Sequence, residues 1–520
     1  MAGSLTQSEG DSLFRRIGSI KQHEVRVRTP GLPLAPQSQL AWKLAAVAMD
    51  DVPVEPEIAR IVIDRIIDDA AAAAAALHHH PVTTARRQAM AHPRPGGAAI
   101  LGLPCTHTYH CEWAAWANCA AVRELDLHDN FFALDSCHPG DSIPPILAVA
   151  QQCGRSGIDL VRAIATAYEI QLDLAKSIPL GRYQIDHVAH LGPAVTAGLG
   201  ALLGLQTEVL YQAIQHSAHV SYSTRQARKG QISTWRSHAP GHVGKLAIEA
   251  VDRAMRGETA PSPLYEGEYS VVAAMLGGTN AIYHVPLPEL GEPKRSIRET
   301  FTKEYAAGYQ GQAIIDLAFR LRRQIHDFEA IESIVAHVRR AAHVIMGSGA
   351  NDPEKWDPTA SRETLDHSLM YICAVALQDG VWHFEHSYAP ERARRPDTVR
   401  LWQKISTLED EEWNRRYDSS APLDRDHGGR VIVTFKDGSK LVDEIAVADA
   451  HPRGARPYKR DDYIRKFMTL SDGIVARNEA ERFLEAVQRV ETLKPGQLET
   501  LSFEADRVSL DHAALTVGIF

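Results

Sequence analysis

The sequence has little cysteine, with six residues in a chain of 520. No two of them form a Cys-x-x-Cys pair, so the ligand spacings of zinc ribbons and of ferredoxin-type iron–sulfur proteins are missing. Six cysteines are also too few for a disulfide framework in a chain of this length. Three widely separated cysteines gathered around one cluster stay open as an alternative, but we expect reduced and mostly buried thiols.

Long apolar runs and basic stripes are missing as well. No apolar run approaches the roughly 20 residues that span a bilayer, and residues 1–28 contain no apolar core of a signal peptide. We therefore expect a cytoplasmic protein without a membrane partner. The formal net charge of −9 argues against a nucleic-acid partner. Because salt screens surface fields beyond about 8 Å, an anionic substrate would need a local concentration of basic side chains.

Helical periodicity dominates the chain from about residue 37 to residue 280. Ser156 and Asp159 have the spacing of a capping box and predict the start of a helix. Pro193 to Leu205 predicts a helix of small residues, which lets a neighbouring helix approach closely. His242 to Met255 predicts another helix, ended by Gly257.

The pattern changes near Tyr283. Ile334 to Val344 predicts a strand, and Arg430 to Val447 predicts a hairpin with its tight turn at Asp437-Gly438. Thr302 to Tyr305 is interpreted as the beginning of a helix. A last amphipathic helix is predicted over Gly473 to Leu493.

We therefore predict a mainly α fold with an inserted α+β domain, that is, a large all-helical domain and a smaller α+β domain resembling a lid. The predicted divisions are a flexible N-terminal arm (1–35), the first part of the helical domain (36–282), the smaller α+β domain (283–460) and a C-terminal return to the helical domain (461–520).

The most informative segment for chemistry runs from residue 124 to residue 145, with the sequences ELDLHDN and, five residues later, DSCHPGDSIPP. It concentrates carboxylates and imidazoles, including Asp126 and His138, and threads apolar residues such as Phe131 and Phe132 between them. Solvated caps and turns would explain any single residue here. For the whole group, carboxylates beside buried aromatic rings favour shifted pKa values and proton transfer.

Two further clusters carry candidate groups. His187 and His190 lie three residues apart after Asp186, but without a third ligand at a recognised spacing they indicate proton transfer rather than metal binding. Basic residues from Arg225 to Lys245 precede a helix start, where a carboxylate-rich ligand would find exposed N–H groups and positive charge. A solvated basic loop is the alternative reading.

These segments, followed by Lys303 and by His367-Ser368 with Tyr371, resemble the MmgE/PrpD superfamily over roughly residues 38 to 495. The similarity is greatest to members that dehydrate 2-methylcitrate to 2-methyl-cis-aconitate in the methylcitrate cycle of propionate catabolism. The resemblance implies a homodimer, a tricarboxylate substrate, and a hydro-lyase that needs no metal ion and no cofactor. Alternatives within it are cis-aconitate decarboxylation, aconitate hydratase-like activity on citrate, or an inactive tricarboxylate-binding homologue.

The resemblance also assigns candidate catalytic residues. Asp126 matches the first active-site aspartate, His138 the histidine that follows it, and His187 the histidine before the small-residue helix. We expect the two histidines to transfer protons, with Asp126 orienting one of them and raising its basicity.

Four residues are candidate substrate-binding groups by the same resemblance. Arg236 and Lys303 are expected to hold carboxylates, Arg236 standing where relatives usually have lysine. Asn130 stands where a threonine is common, and His343 lies roughly where the decarboxylases have a tyrosine, which weakens that alternative. Lys303 belongs to the predicted smaller domain, so domain closure would complete the site.

Overall fold

The structure is a computed structural model that describes residues 22–28, 31, 33–418, 421–506 and 518–519. Helices dominate, and eight of the nine strands in the described residues form one four-stranded sheet and two short two-stranded sheets, while the ninth, Pro93–Ala98, pairs with Tyr109 through isolated bridges. The mainly α fold with a smaller α+β part is thereby confirmed.

The helices and strands have the following bounds. The helices are α1 (Leu40–Met49), α2 (Pro56–Ala76), α3 (His80–Met90), α4 (Cys111–Glu124), α5 (Ile143–Gln152), α6 (Gly157–Ser177), α7 (Leu191–Leu203), α8 (Thr207–Ser221), α9 (Trp235–Met255), α10 (Val271–Met275), α11 (Tyr309–Arg322), α12 (Arg340–Ile345), α13 (Arg362–Leu365), α14 (Leu369–Asp379), α15 (Pro390–Ala393), α16 (Pro396–Trp402), α17 (Glu411–Tyr417), α18 (Arg460–Leu470) and α19 (Arg477–Gln488). The strands are β1 (His23–Arg26), β2 (Pro93–Ala98), β3 (Phe131–Phe132), β4 (Ser136–Cys137), β5 (Ile282–Val285), β6 (Ile331–Val338), β7 (Ile405–Glu409), β8 (Gly429–Phe435) and β9 (Lys440–Ile445).

Helices α1 to α9 bury one large hydrophobic cluster. Within it, α7 packs against α6 through glycine, because a Cβ on Gly198 would lie 2.9 Å from the Ala163 carbonyl oxygen. The predicted small-residue helix therefore exists and allows the close approach that its composition indicates. The predicted capping box at Ser156 and Asp159 is also confirmed at the start of α6.

A second hydrophobic cluster lies between the four-stranded sheet and helices α11 and α14. The strand order is β7-β6-β8-β9, with β6 parallel to β7 and antiparallel to β8. The predicted hairpin is confirmed as β8 and β9, with Gly438 at φ 85° in the turn. Glycine adopts this left-handed conformation without steric cost.

Two predicted elements differ from the structure. The strand expected to run to Val344 ends at Val338, and His343 lies on the short helix α12. Apolar residues such as Ala341 and Ala342 continue the strand-like pattern, although Arg339 and Arg340 already start a helical turn. The helix expected at Thr302 to Tyr305 is wrong, because this stretch is irregular and α11 begins only at Tyr309.

The two ends of the chain pack against the large cluster. Residues 1–21 of the predicted flexible arm lie outside the described residues, but within the arm β1 pairs antiparallel with β5, with Val25 opposite Tyr283. Helices α18 and α19 bury Phe467 and Phe483 in the large cluster, in line with the predicted return. The exact domain boundaries remain predictions.

Lys466 on α18 connects this return to the segment that leads into the smaller sheet. Its buried ammonium lies 2.6 Å from Asp68 Oδ1 and donates to the carbonyl oxygens of Leu127 and Lys303, each at 2.7 Å. The Lys466 ammonium therefore joins three segments that are far apart in sequence, at Asp68, Leu127 and Lys303.

Replacing Lys466 with methionine should lower the free energy of unfolding by about 3–5 kcal/mol, because Asp68 would remain buried without its counter-charge. Chemical denaturation followed by circular dichroism measures this. The neighbouring Arg465→Met variant is the control, since Arg465 is exposed and its one ion pair among the described residues is with Asp462 on the same helix. Equal stability of both variants would contradict the structural role of Lys466.

Candidate active site

A cavity of about 1670 Å³ opens where the helical part and the smaller sheet part meet. Its walls include His138 and His187 from the helical part, and Tyr309 and Arg339 from the other part. Eight cationic side chains line it against three aspartates, a balance that suits a polyanionic ligand. These cations are Arg123, Lys176, Arg182, Arg225, Arg228, Lys229, Lys303 and Arg339.

Asp126 is the buried anion at the centre of the cavity wall. Its carboxylate lies 2.8 Å from Lys303 Nζ and 2.7 Å from Arg123 Nη1. Burial alone would raise the pKa of Asp126, but the Lys303 and Arg123 charges hold that pKa well below its usual range. Its backbone adopts φ 50°, a left-handed conformation that aspartate tolerates better than most residues and that often marks functional sites.

Lys303 is fully buried and donates to both the carboxylate and the carbonyl oxygen of Asp126, the latter at 2.7 Å. Burial lowers the pKa of Lys303 to about 8, although Asp126 opposes the shift. At neutral pH the side chain is therefore an ammonium ion that loses its charge only a little above physiological pH.

His138 presents an unprotonated nitrogen near Asp126. Its Nδ1 lies 3.0 Å from the Asp129 carbonyl oxygen, which only accepts, so Nδ1 carries the proton and Nε2 has a free lone pair. Nε2 lies 3.8 Å from Asp126 Oδ1. Burial, together with Arg123 and Lys303, moves the pKa of His138 well below its usual range, so the ring is neutral.

His187 faces His138, with the two ring centres 5.3 Å apart. Its Nδ1 lies 3.1 Å from Asp186 Oδ1, and Asp186 in turn pairs with Arg228 at 3.1 Å. The Nε2 atom is buried and has no partner among the described residues. Burial lowers the pKa of His187, but Asp186 opposes the shift, so this ring holds a proton more readily than His138 does.

The structure thus brings together Asp126, His138, His187 and Lys303 around one cavity. Asn130 lines the same cavity, fixed by its backbone pairing with Phe301 and by an Nδ2 bond of 3.3 Å to the His128 carbonyl oxygen. Their convergence agrees with the sequence-based prediction, while the role of each residue remains a prediction.

Arg236 is not brought to the cavity. Its guanidinium is fully buried, donates to both carboxylate oxygens of Asp366 at 3.0 Å and reaches the Glu124 carbonyl oxygen at 3.1 Å. The expected carboxylate anchor is therefore already committed to an internal anion. Asp366 also contacts His367, which does line the cavity, so Arg236 supports the wall from behind.

His343 is likewise turned away from the cavity. Its Nδ1 lies 2.8 Å from the Thr407 hydroxyl on β7, whereas its helix neighbours Ala341 and Val344 line the cavity. The expectation of a substrate contact at His343 fails because the chain here is helical. Residues on one turn of a helix point in different directions, unlike the alternation expected of a strand.

Several cavity residues were not identified from the sequence. Arg123 precedes Asp126 by three residues at the end of α4, a spacing that could have indicated the ion pair. Asp135 belongs to the candidate segment but was assigned no role; it is buried against the backbone N–H of Ser136, and burial raises its pKa to about 6. Tyr309 and Arg339 reach the cavity only through the smaller sheet part, so no local signal identified them.

The pair His187 and His190 does not form a shared ligand site. His190 Nε2 lies 2.9 Å from the Ile178 carbonyl oxygen, away from the cavity. Within the ranges that the structure describes, no three His, Cys, Asp or Glu side chains form a group that could hold a metal ion.

The Asp126→Asn substitution should keep the left-handed backbone, which asparagine also tolerates, but remove the charge that Lys303 and Arg123 share. We expect the free energy of unfolding to fall by about 3–5 kcal/mol because two buried cations lose their partner. Denaturant titration measures this. The Asp418→Asn change, at an exposed position far along the chain, is the control, and equal losses in both variants would contradict the role of Asp126.

Comparison of the sequence with known proteins identifies a family that matches most of the chain. Residues 38–283 match the MmgE/PrpD N-terminal domain, and residues 305–492 match the MmgE/PrpD C-terminal domain. The first matched range contains Asp126, His138 and His187, and Lys303 lies between the two matched ranges.

Relatives share this similarity over most of their length. A protein of Yarrowia lipolytica named 2-methylcitrate dehydratase, mitochondrial, is 26% identical over 70% of this chain and 71% of its own. A probable 2-methylcitrate dehydratase of Saccharomyces cerevisiae is 25% identical over 77% of both chains. The 2-methylcitrate dehydratase of Escherichia coli strain K12 is 24% identical over 67% of this chain and 72% of its own.

In the described part of the chain, no helix is long and apolar enough to cross a membrane. The cytoplasmic location expected from the sequence remains a prediction, since the Yarrowia relative is named as mitochondrial. Matches to both domains, in order along one chain and around one shared cavity, show that the chain belongs to the MmgE/PrpD family.

Proposed function

We propose that this protein is a hydro-lyase that dehydrates 2-methylcitrate to 2-methyl-cis-aconitate. The observation that carries the proposal is a pair of facing imidazoles, His138 and His187, each with a free Nε2, in a cavity rich in cationic side chains. The names of the relatives support the choice of substrate.

Dehydration needs a base for a weakly acidic carbon-bound proton and an acid for the departing hydroxide. His138 is the base, because its Nε2 lone pair is unprotonated and open. Asp126, 3.8 Å from that nitrogen, stabilises the imidazolium that forms when the proton arrives.

His187 is the acid. Burial keeps the pKa of His187 below its usual value in the free protein, so Nε2 takes up its proton together with the negatively charged substrate. The Asp186 carboxylate holds Nδ1–H and stabilises the protonated ring, and Nε2–H donates to the hydroxyl oxygen as the carbon–oxygen bond breaks. Water forms, and the electrons of the carbon–hydrogen bond become the new double bond. Solvent exchange then returns His138 to its neutral form and His187 to its protonated form.

The three carboxylates of the substrate require fixed positive charge. Lys303 supplies part of it beside the base, where negative charge develops on the carboxylate next to the carbon that loses its proton. Fixed charges of this kind usually make the largest single contribution to catalysis, because they need no reorganisation during the reaction.

Replacing His138 or His187 with glutamine should lower the rate of 2-methylcitrate dehydration by at least about a hundredfold, because each removes one proton transfer. The ultraviolet absorbance of the alkene measures the rate. His219→Gln, at an exposed position of α8, is the matched control and should retain activity. Near-normal turnover of either cavity variant would refute the assignment for that histidine.

The pH profile tests Lys303. Its pKa of about 8 is a lowered value, so its charge is present below that pH and is lost as pH rises through it. Asp126 and Asp366 oppose this lowering of the Lys303 pKa, whereas Arg123 adds to it. We expect kcat/KM to fall above about pH 8 and Lys303→Arg to move this decline to higher pH, because arginine stays charged. An unchanged decline in a folded Lys303→Arg variant would assign it to another group.

Product analysis separates this proposal from the alternatives. Incubation with 2-methylcitrate, citrate and cis-aconitate, followed by proton NMR and carbon dioxide measurement, distinguishes dehydration from aconitate hydratase-like activity and from decarboxylation. Tight tricarboxylate binding without any turnover would indicate an inactive homologue. A role in the methylcitrate cycle, a mechanism without metal, and a homodimer are parts of the same proposal.

A further inference from the structure

Most cations of the cavity are already paired with carboxylates of the protein. Lys303 and Arg123 pair with Asp126, Arg228 with Asp186, Lys176 with Asp173 and Glu299, and Lys229 with Asp352. Their charges are therefore partly neutralised before a ligand arrives.

Arg339, the residue after β6, is different. Among the described residues no carboxylate lies within 4 Å of its guanidinium, although the residue is only 7% exposed. Its Nε atom is buried and has no hydrogen-bond partner among them. Arg182 and Arg225 also line the cavity without an ion pair in the described chain, but both are more exposed to water.

Tyr417 holds the Arg339 guanidinium in place. The Cζ atom lies 3.9 Å from the centre of the Tyr417 ring and 5.8 Å from that of Phe132. The Tyr417 hydroxyl donates to the Ala133 carbonyl oxygen at 3.5 Å, which ties the ring to the other wall of the cavity. Stacking fixes the plane of the guanidinium, and an arginine fixed in this way binds a carboxylate with two parallel hydrogen bonds.

The surroundings of Arg339 add positive rather than negative charge. The Arg425 Cζ atom lies 5.2 Å from the centre of the same Tyr417 ring, and burial together with Arg425 lowers the pKa of Arg339. The Tyr309 hydroxyl is a second buried donor without a partner among the described residues, and its ring lies 5.4 Å from Phe132. A buried cation without a counter-charge is costly, and an incoming anion would relieve that cost.

We propose that Arg339, stacked on Tyr417, forms a carboxylate-binding subsite that determines the specificity of the cavity for tricarboxylates over dicarboxylates. It supplies the anchor that was expected from Arg236. The inference takes the class of ligand from the proposed function, but it concerns binding and does not depend on turnover.

Isothermal titration calorimetry with propane-1,2,3-tricarboxylate tests the subsite, since this compound has no hydroxyl group to eliminate. Glutarate and methylsuccinate are the comparison ligands, because glutarate lacks the central carboxylate and methylsuccinate lacks a terminal one. In Arg339→Met we expect the tricarboxylate to bind at least about thirtyfold more weakly. At least one of the two dicarboxylates should lose much less affinity, because the group that Arg339 binds is already missing from it.

Three further variants make the test specific. Arg340→Met removes the same charge from an exposed neighbour outside the cavity lining and should leave affinity unchanged. Tyr417→Leu removes the stacking ring and should lower the affinity. If Arg339→Met does not fold, Arg339→Lys provides the test, because it keeps the charge but loses the paired hydrogen bonds.

Equal losses for the tricarboxylate and both dicarboxylates in Arg339→Met would overturn the inference, because they would reveal only a general field effect. Unchanged tricarboxylate affinity, or no tricarboxylate binding by the wild-type protein, would overturn it as well. Specific loss in a protein that binds tricarboxylates but does not dehydrate 2-methylcitrate would support the subsite while refuting the proposed function.

Discussion

The site depends on one buried carboxylate, that of Asp126. It holds Arg123 at the end of a core helix and Lys303 on the segment that leads into the smaller sheet part, so one anion fixes two distant parts of the chain. The same contacts place two cations beside His138 and keep that ring neutral. Removing the carboxylate would therefore disturb both the geometry of the cavity and the protonation of its base.

The two histidines are alike in chemistry and differ in their partners. A backbone carbonyl oxygen accepts from His138, whereas the Asp186 carboxylate accepts from His187. A carboxylate stabilises an imidazolium more than a carbonyl group does, so the environment divides the roles of base and acid between them. Lys466 stabilises this arrangement, because its ammonium donates to the backbone carbonyl oxygens of Leu127 and Lys303, which lie next to Asp126 in sequence and at its ion-pair partner.

Several features of the fold and the site could be predicted because they depend on residues that lie close together in the sequence. The capping box at Ser156 and the turn at Gly438 depend on neighbouring residues alone, and the grouping of Asp126 with His138 is visible within one short segment. Arg236 could not be placed in this way, because its partner Asp366 lies 130 residues further along the chain and spacing does not show which charges are neutralised internally. Arg339 depends on where β6 ends, and a strand-like pattern that continues beyond that point concealed it.

The most direct measurement is a crystal structure of the protein with propane-1,2,3-tricarboxylate bound. The account predicts that the ligand lies between His138 and His187, with each Nε2 within about 3.5 Å of it and with carboxylates paired to Lys303 and Arg339. A ligand bound elsewhere on the protein, or one in this cavity that contacts neither imidazole, would contradict the account.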